Sequence, residues 1–228
     1  MNMKKFTAIL LLICTAVLLG GCSLKKEYDL YGKARVEALR ESAKNWQSGR
    51  YLLTNLDTDV MDQAFSFMYN EDGSQTYLYE RVSEENGYYT YYAEFSDGGT
   101  FYVMNGGEIS ILKSGSEGYV SYDRESPHPY STGDLLFYEN LFVKSSEEKP
   151  QEDGGVDYIY YYNTEKINDT LGTSLTEFVT EYVFGADGEF EYFVQRNSDG
   201  ESSYAYRIDV IDADSLTEIE NPALDSEE

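Results

Sequence analysis

Apolar and polar residues alternate with a period of two through most of the chain after Arg50. Alternation of this kind predicts strands with one buried face. The runs are separated by Asp-Gly or Asn-Gly pairs, which favour tight hairpin turns, at 72–73, 86–87, 97–98, 105–106, 187–188 and 199–200. We therefore predict a long antiparallel sheet, with strands near 51–57, 62–69, 75–82, 88–96, 100–104, 107–112, 118–122, 156–167, 174–185, 189–197 and 202–212.

Two segments depart from this alternation. Residues 28–48 place apolar side chains at helical spacing and Gly49 supplies a stop, so an amphipathic helix is predicted there. Its apolar face would contain Tyr31, Ala34, Ala38, Leu39, Ala43 and Trp46, with Trp46 in the core rather than at a ligand. A short inserted helix is predicted at 132–144, before an acidic loop, with Ser131 or Thr132 as its cap.

The parity of apolar side chains on neighbouring strands sets the length of the turn between them, because like faces must meet. Ser198-Asp199-Gly200 and Ala186-Asp187-Gly188 are therefore predicted to be three-residue turns, with Gly200 left-handed in a bulge. Asn105-Gly106 should instead be a two-residue type I′ turn. The expected pairs are Phe184 with Phe190, Tyr182 with Tyr192, Tyr192 with Tyr206 and, on the other face, Glu191 with Arg207.

The N-terminus has a different pattern. An uncharged apolar run at 6–19 follows Lys4 and Lys5, and it is shorter than the roughly 20 residues that a membrane-spanning helix needs. This is the anatomy of a signal peptide. The sequence Leu19-Gly20-Gly21-Cys22 then resembles the lipobox of bacterial lipoproteins, in which the cysteine is lipidated and becomes the first residue of the mature chain.

The lipobox resemblance implies acyl chains such as palmitate on Cys22, and a position on the extracytoplasmic face of the cell membrane. Residues 1–21 would be removed, and 22–27 would form a lipidated tether. The alternative is a secretory or uncleaved helix with an incidental cysteine. Cys14 lies in the segment that would be removed, so the exported body would have no disulfide and no thiol nucleophile.

The charge of the chain limits its partners. It has 17 Lys+Arg against 42 Asp+Glu, a formal net charge of −25, which argues against nucleic acid and against broad adhesion to anionic lipid. Several cations nevertheless lie close to Cys22, at Lys25, Lys26, Lys33, Arg35, Arg40, Lys44 and Arg50. This gradient would orient the acidic body away from an anionic bilayer. The other interpretation is that these cations only solvate one helix.

Few residues offer catalytic chemistry. The only histidine, His128, lies between two prolines in a predicted loop, which favours a solvated side chain over a catalytic base. The counts of Cys and His exclude the usual zinc sites, and no segment has EF-hand spacing. Glu177 and Glu181 could act as an acid/base pair only in a cleft, so a solvated sheet face is preferred. We expect a non-enzymatic protein without a cofactor or metal.

The 23 tyrosines are densest at 87–95 and 157–163. Tyrosine suits strands because its ring can be buried while its hydroxyl stays wet. The preferred interpretation is that these rings form the core and outer surface of a twisted sheet. The alternative is that they line a cavity for a lipid, glycan or peptide.

The order of elements resembles the LolA-like half-barrel lipoproteins, envelope proteins that bind acyl chains or lipoproteins under a helical lid. The resemblance covers most of residues 28–212 and rests on the lipidated cysteine, the amphipathic helix, the long meander and the inserted helix. It implies a β-rich α+β fold whose antiparallel sheet is curved into a half-barrel, with the inserted helix covering one face. The candidate ligand-binding residues are then Tyr182, Phe184, Phe190, Tyr192, Tyr204, Tyr206, Ile208, Leu136 and Phe142.

We expect a single domain over 28–216, followed by an acidic, frayed tail at 217–228. The first expected function is a membrane-anchored lipoprotein that binds a hydrophobic or amphiphilic ligand, a lipid or a lipoprotein, by burying its apolar surface. The second is an interaction or sensory lipoprotein with a filled core, whose sheet or acidic face meets an envelope protein. A two-lobed solute-binding protein is disfavoured, because its lobes need repeated βα units.

Overall fold

The computed structural model describes residues 30–85, 88–128, 131 and 142–224. Within these ranges, eleven strands form a large, open antiparallel sheet accompanied by two helices, which confirms the predicted β-rich class. The helices are α1 (Lys33–Ala43) and α2 (Thr164–Leu171). The strands are β1 (Ser48–Asn55), β2 (Val60–Tyr69), β3 (Gln75–Glu85), β4 (Tyr88–Ser96), β5 (Thr100–Asn105), β6 (Glu108–Lys113), β7 (Val143–Pro150), β8 (Val156–Tyr162), β9 (Glu177–Phe184), β10 (Phe190–Ser198) and β11 (Ser203–Ile211).

The chain divides into two compact units. The first unit contains α1, strands β7 to β10, α2 and β11 as far as Ile208. The second contains β1 to β6, the segment that follows β6, and the chain after β11. Strands that are consecutive in sequence are neighbours within each unit, in the orders β11-β10-β9-β8-β7 and β6-β5-β4-β3-β2-β1. The meander that the alternation predicted is therefore present in both.

Aromatic rings fill one face of the second unit. Tyr51 lies opposite Phe65, and Phe67 lies opposite Tyr77 in the adjacent strand pair. The Phe65 ring centroid lies about 6 Å from those of Tyr51, Phe67 and Tyr77, and all four side chains are buried. Trp46 is also buried, with its ring centroid 6.4 Å from that of Tyr51, so the prediction that Trp46 belongs to the core is confirmed.

The opposite face of the second unit is covered by the C-terminal segment. Ile219 is only 8% exposed and packs in a cluster with Leu78, Ala93 and Phe95. The tail predicted to be frayed over 217–228 is therefore ordered as far as residue 224, and residues 225–228 lie outside the described part. The prediction was wrong because β3 and β4 are apolar on both faces, so this face also needs cover.

The first unit is built around buried tyrosines. Tyr182 of β9 is fully buried, with its ring centroid 5.4 Å from that of Tyr160 and 5.0 Å from that of Phe193. The same face contacts α1, where the Arg35 guanidinium lies 5.1 Å above the Phe184 ring. The Tyr160 hydroxyl donates a hydrogen bond of 3.0 Å to the carbonyl of Tyr31. Helix α1 and its leading turn therefore cover this tyrosine face.

The buried side of α1 differs from the predicted one. Tyr31 is 56% exposed, and Ala34 and Ala38 are exposed as well. Val36, which was not predicted, is buried, and Ala43 is buried as predicted. These two residues are seven apart, so they also lie on one side of a helix, and sequence spacing alone could not choose between the two faces. The left-handed Gly32 before the helix sets which face meets the sheet.

Two regular elements were missed. The predicted strand at 156–167 ends at Tyr162 because Asn163 caps α2, accepting a hydrogen bond of 3.1 Å from the Lys166 N–H. Strand β7 replaces the start of the predicted acidic loop, and its exposed acidic residues and Pro150 suit the edge of a sheet. The segment 118–122 is not a strand. The helix predicted at 132–144 lies largely outside the described residues, and its last two positions belong to β7.

The turn predictions are confirmed in part. Ala186-Asp187-Gly188 is a three-residue turn, closed by the bond from the Gly188 N–H to the Gly185 carbonyl, and Phe184 lies opposite Phe190 as predicted. Strands β5 and β6 do join through a two-residue turn. Its residues are Gly106-Gly107, both with positive φ, rather than Asn105-Gly106.

The last hairpins differ from prediction in register. A bulge at Glu191 brings Phe193, and not Tyr192, opposite Tyr182. The Asp199 N–H bonds to the Ser202 carbonyl, so Gly200-Glu201 is the turn rather than Ser198-Asp199-Gly200, although Gly200 does have positive φ.

Arg207 shows the effect of this register on the two faces. Its guanidinium carbon lies 3.9 Å above the Tyr192 ring, so these side chains share a face. The predicted pair of Tyr192 with Tyr206 is therefore wrong, while the pair of Glu191 with Arg207 stays a prediction. One extra residue in a strand moves every later side chain to the opposite face.

Gly32 should be a sensitive position. It has a φ of +65°, and a Cβ there would lie 2.3 Å from the Tyr158 ring. We expect Gly32→Ala to lower the free energy of unfolding by about 3 kcal/mol, from left-handed strain and ring overlap together. Gly172→Ala is the matched control, because Gly172 has a φ of +64° with open space around it. It should cost only the strain, about 1 kcal/mol. Equal losses in chemical denaturation would contradict the overlap.

Candidate functional site

Three of the nine sequence-predicted binding residues, Tyr182, Phe184 and Ile208, are buried in the core of the first unit. Tyr182 and Phe184 are buried on the face that α1 covers, and the Phe190 ring packs against Phe184 at 5.7 Å between centroids. Ile208 is buried, while Tyr204 and Tyr206 are partly buried. Because side chains alternate along β11, these three lie on the face opposite Arg207.

The remaining predicted residues lie elsewhere. Tyr192 lies on the other face of the sheet, beneath Arg207. Phe142 is partly buried, and its carbonyl accepts a hydrogen bond of 2.7 Å from the Asn163 N–H. Leu136, like Cys22, lies outside the described residues. The structure thus brings part of the predicted set together, but in packing contacts.

The tyrosines serve two purposes. Those that pack in the core, as the preferred interpretation predicted, are Tyr51, Tyr77, Tyr158, Tyr160, Tyr162 and Tyr182. Others remain partly exposed on strands of the second unit, among them Tyr79 and Tyr92. The partly exposed rings are the ones still available to a ligand.

The carboxylates Glu177 and Glu181 do not form an acid/base pair. The Glu181 carboxylate binds the Arg196 guanidinium at 2.8 Å, and Glu177 is exposed at the start of β9. Among the described residues, no group of three or more His, Cys, Asp or Glu side chains is arranged to hold a metal ion.

His128 is not solvated, contrary to prediction. Its ring lies against three aromatic rings of the second unit, with centroid distances of 4.6 Å to Phe65, 4.8 Å to Tyr77 and 4.7 Å to Tyr122. Its backbone N–H donates to the buried Gln75 side chain at 3.0 Å. Burial lowers the pKa of His128 from 6.5 to about 3, so the ring is neutral at physiological pH. Sequence reasoning missed this because the contacts are distant along the chain.

A mixed polar and aromatic surface continues from this cluster towards the hairpin ends. Its members lie on one face of β2 to β4, and all of them are partly exposed. Cross-strand pairing places Arg81 between Gln63 and Tyr92, and Tyr79 opposite Glu94. We call this surface the tyrosine–arginine face, consisting of Gln63, Tyr79, Arg81, Tyr92 and Glu94.

Hydrogen bonds hold the phenols of the tyrosine–arginine face. The Tyr79 hydroxyl donates to Gln63 Oε1 at 3.1 Å, and the Tyr92 hydroxyl donates to Glu94 Oε1. Burial raises the pKa of Tyr79 to about 12 and also raises that of Tyr92, which its bond to Glu94 raises further. Both phenols therefore remain protonated donors at neutral pH.

Arg81 is the cation of this face. Its guanidinium carbon lies 5.4 Å from the centre of the Tyr92 ring. Within the part of the chain that the structure describes, Arg81 forms no salt bridge, and its buried Nε atom has no hydrogen-bond partner. Sequence reasoning did not single out Arg81, because one cation in an alternating strand normally indicates only a solvated face. The only local signal was its position among the tyrosines of β3.

A second concave region lies beside the C-terminal segment. It is a cleft of about 340 Å³ lined by Arg50, Leu78, Glu80, Glu218, Ile219, Glu220 and Pro222. Arg50 Nε donates to Ser66 Oγ at 2.9 Å, and the Tyr91 hydroxyl donates to Glu80 Oε1 at 2.9 Å. Three glutamates in the lining make this cleft a poor site for an acyl chain.

Comparison with known proteins identifies a shared fold. No protein-family model matches the chain, and no curated protein matches it in sequence. Among solved structures, the crystal structure of LprF from Mycobacterium bovis is similar, with a TM-score of 0.50 and 12% sequence identity. The alignment covers 84% of this chain and 96% of that chain. At this identity the similarity shows the fold alone.

The burial of His128 predicts a pH dependence. Because the folded protein holds this histidine neutral, its contribution to the free energy of unfolding is complete above pH 6.5 and is lost as the pH falls from 6.5 towards 3. At pH 5.5 the expected loss is about 1 kcal/mol relative to pH 7.5. His128→Phe keeps an aromatic ring and should lack this loss, so the difference between the two proteins isolates it from carboxylate titration.

The imidazole can also be followed directly, since His128 is the only histidine. Its NMR signals in the folded protein should not titrate between pH 7.5 and 5. A midpoint near 6.5 would show that the ring is solvated.

Proposed function

We propose that this protein is a membrane-anchored, extracytoplasmic lipoprotein of the LolA-like half-barrel type, which binds an amphiphilic ligand and catalyses no reaction. The observation that carries this proposal is the tyrosine–arginine face. It offers partly exposed rings and polar groups together, whereas Tyr160 and Tyr182 of the first unit are buried in packing. Rings with polar tips suit a molecule that has both an apolar and a polar part.

The fold supports the lipoprotein part of the proposal. It is shared with LprF over most of both chains. In the described ranges, neither helix is long and apolar enough to cross a membrane. Attachment through acyl chains on Cys22 would hold the body at the membrane surface. We also propose that the sheet is curved into a half-barrel.

The non-enzymatic part rests on the fate of the candidate groups. His128 is neutral and packed among aromatic rings, so it is poorly placed to exchange protons with a substrate. Glu181 is held by Arg196. Both cysteines lie in the first 22 residues, so the body from Ser23 onward has no thiol nucleophile. Binding, rather than catalysis, is the activity that these contacts support.

Exposed apolar side chains support a second candidate function, the protein-interaction lipoprotein. The β1–β2 and β5–β6 connections lie at one end of the second unit's meander, where β3 ends and β4 begins, because neighbouring strands run in opposite directions. Tyr88 and Tyr89 are 78% and 72% exposed there, and Val60 and Met61 are also exposed. Acidic residues lie beside them in sequence, so a partner segment with basic and apolar residues would fit this end.

Anchoring is tested by labelling with palmitate in a bacterial host that processes lipoproteins. We expect the wild-type chain and Cys14→Ala to carry the label and to sediment with membranes. Cys22→Ala should lose both properties, because it has no acceptor sulfur. Labelling of Cys22→Ala would contradict the lipobox assignment, and the Cys14 variant controls for loss of a cysteine from the same N-terminal segment.

Ligand binding is tested by native mass spectrometry of residues 23–228, exported and purified without detergent. We expect an added mass that leaves on organic extraction and matches a lipid. The double variant Tyr79→Ser, Tyr92→Ser should lose this mass, because the two rings supply the contact surface. Tyr31→Ser, which removes an exposed tyrosine of the first unit, should retain it.

A bare mass after incubation with envelope lipids would count against an amphiphilic ligand and would favour the interaction function. Circular dichroism should show that both tyrosine variants are folded. An added mass kept by the double variant would place the ligand somewhere other than the tyrosine–arginine face.

A further inference from the structure

Arg81 differs from several other cations of this acidic chain. Lys44 pairs with Glu41 at 2.8 Å, Arg196 pairs with Glu181 at 2.8 Å, and Lys149 lies 4.0 Å from Asp157. Arg81 is partly buried and has no salt bridge among the described residues. A charge that is partly removed from water without an opposite charge is costly in the free protein, and an anionic ligand would offset that cost.

The surroundings of Arg81 leave its charge available. The nearest phenols are engaged elsewhere, because Tyr79 donates to Gln63 and Tyr92 donates to Glu94. Glu94 lies on the same face but forms no salt bridge with Arg81. The buried Nε of Arg81 is a donor without an acceptor in the described structure. A planar guanidinium that has no anionic partner is matched to the two oxygens of a carboxylate or phosphate.

The rings beside Arg81 add an apolar part to this arrangement. The Tyr79 and Tyr92 rings meet edge to face with centroids 6.4 Å apart, and the guanidinium lies against the Tyr92 ring. A ligand oxyanion at Arg81 would therefore have aromatic surface within reach of the atoms next to it. Such a pairing of one cation with two rings recognises the junction between a charged headgroup and its apolar chain.

We propose that Arg81, flanked by Tyr79 and Tyr92, binds the oxyanion of an amphiphile's headgroup. This inference rests on the proposed function and specifies its ligand as an anionic amphiphile. The net charge of −25 repels anions at long range, so the site selects by direct contact at Arg81 and not by attraction to the whole surface. Affinity for a free anion should therefore rise with ionic strength until screening also weakens the contact itself.

The test is calorimetric titration of residues 23–228 with short-chain lipids below their micellar concentration, at about 0.15 M salt, where charges are screened beyond about 8 Å. Dihexanoylphosphatidylglycerol is the anionic probe, and dihexanoylglycerol has the same chains without the phosphate. We expect the anionic lipid to bind more tightly. Arg81→Gln should weaken its binding about tenfold or more, because a charge-assisted contact is lost. Dihexanoylglycerol, which has no oxyanion, should bind both proteins equally.

Two further variants separate the contact from general effects. Arg81→Lys keeps the charge but loses the planar donor pair, so its affinity should be intermediate. Arg124→Gln is the matched control. Arg124 also lies over a tyrosine ring of the second unit, 4.5 Å above Tyr69, but it is exposed and donates to Gln47. It should bind both lipids as the wild type does, and thermal unfolding of each variant checks that the fold is intact.

The possible outcomes distinguish failure of the headgroup assignment at Arg81 from failure of the proposed amphiphile binding. Equal binding of both lipids, unchanged in Arg81→Gln, would overturn the headgroup assignment and leave amphiphile binding intact. Binding of neither lipid by the wild type would overturn both. Competition by inorganic phosphate that disappears in Arg81→Gln would support the oxyanion site. Binding of phosphate at Arg81 without either lipid would overturn the amphiphile as the source of the anion.

Discussion

Aromatic rings that meet across paired strands are the interaction on which both units depend. The body from Ser23 onward has no cysteine, so its stability comes from burial. A large ring buries about 150–250 Å², and rings from three neighbouring strands meet at Tyr160, Tyr182 and Phe193 in the first unit. Phe65 and Tyr77 hold the corresponding place in the second, together with His128. Because such rings must interlock, strand register is fixed by the core.

The parts of the fold that were predictable from sequence are those that depend on patterns among residues close together in the chain. Alternation and Asp-Gly turns indicated most strands of the meander, and the three-residue turn at 186–188 followed from parity. Strand β7 was missed because an edge strand facing solvent needs no apolar alternation. The bulge at Glu191 contains no glycine that would have indicated it. It nevertheless places the later residues of β10 on the faces opposite to those predicted.

The candidate site was harder to predict for a physical reason. Apolar character selects residues that a sheet uses for its own core, and Tyr182 and Phe184 are examples. A binding surface needs groups that packing leaves incompletely satisfied, and that condition depends on neighbours from other strands. Arg81 and His128 illustrate both outcomes. One is a surface-type residue without an acceptor for its Nε, and the other is a loop residue whose ring packs against three aromatic rings.

The C-terminal segment has a consequence for biogenesis. Ile219 closes the cluster over Leu78 and Phe95, so the second unit is assembled from residues far apart in the chain. Contacts at such long sequence separation form late. A translocation channel accepts an unfolded chain. The second unit lacks part of its core until its final residues have been synthesised, so until then it can pass through such a channel unfolded. If the chain is exported as we propose, this order of synthesis would delay folding of the second unit until its last residues have been made.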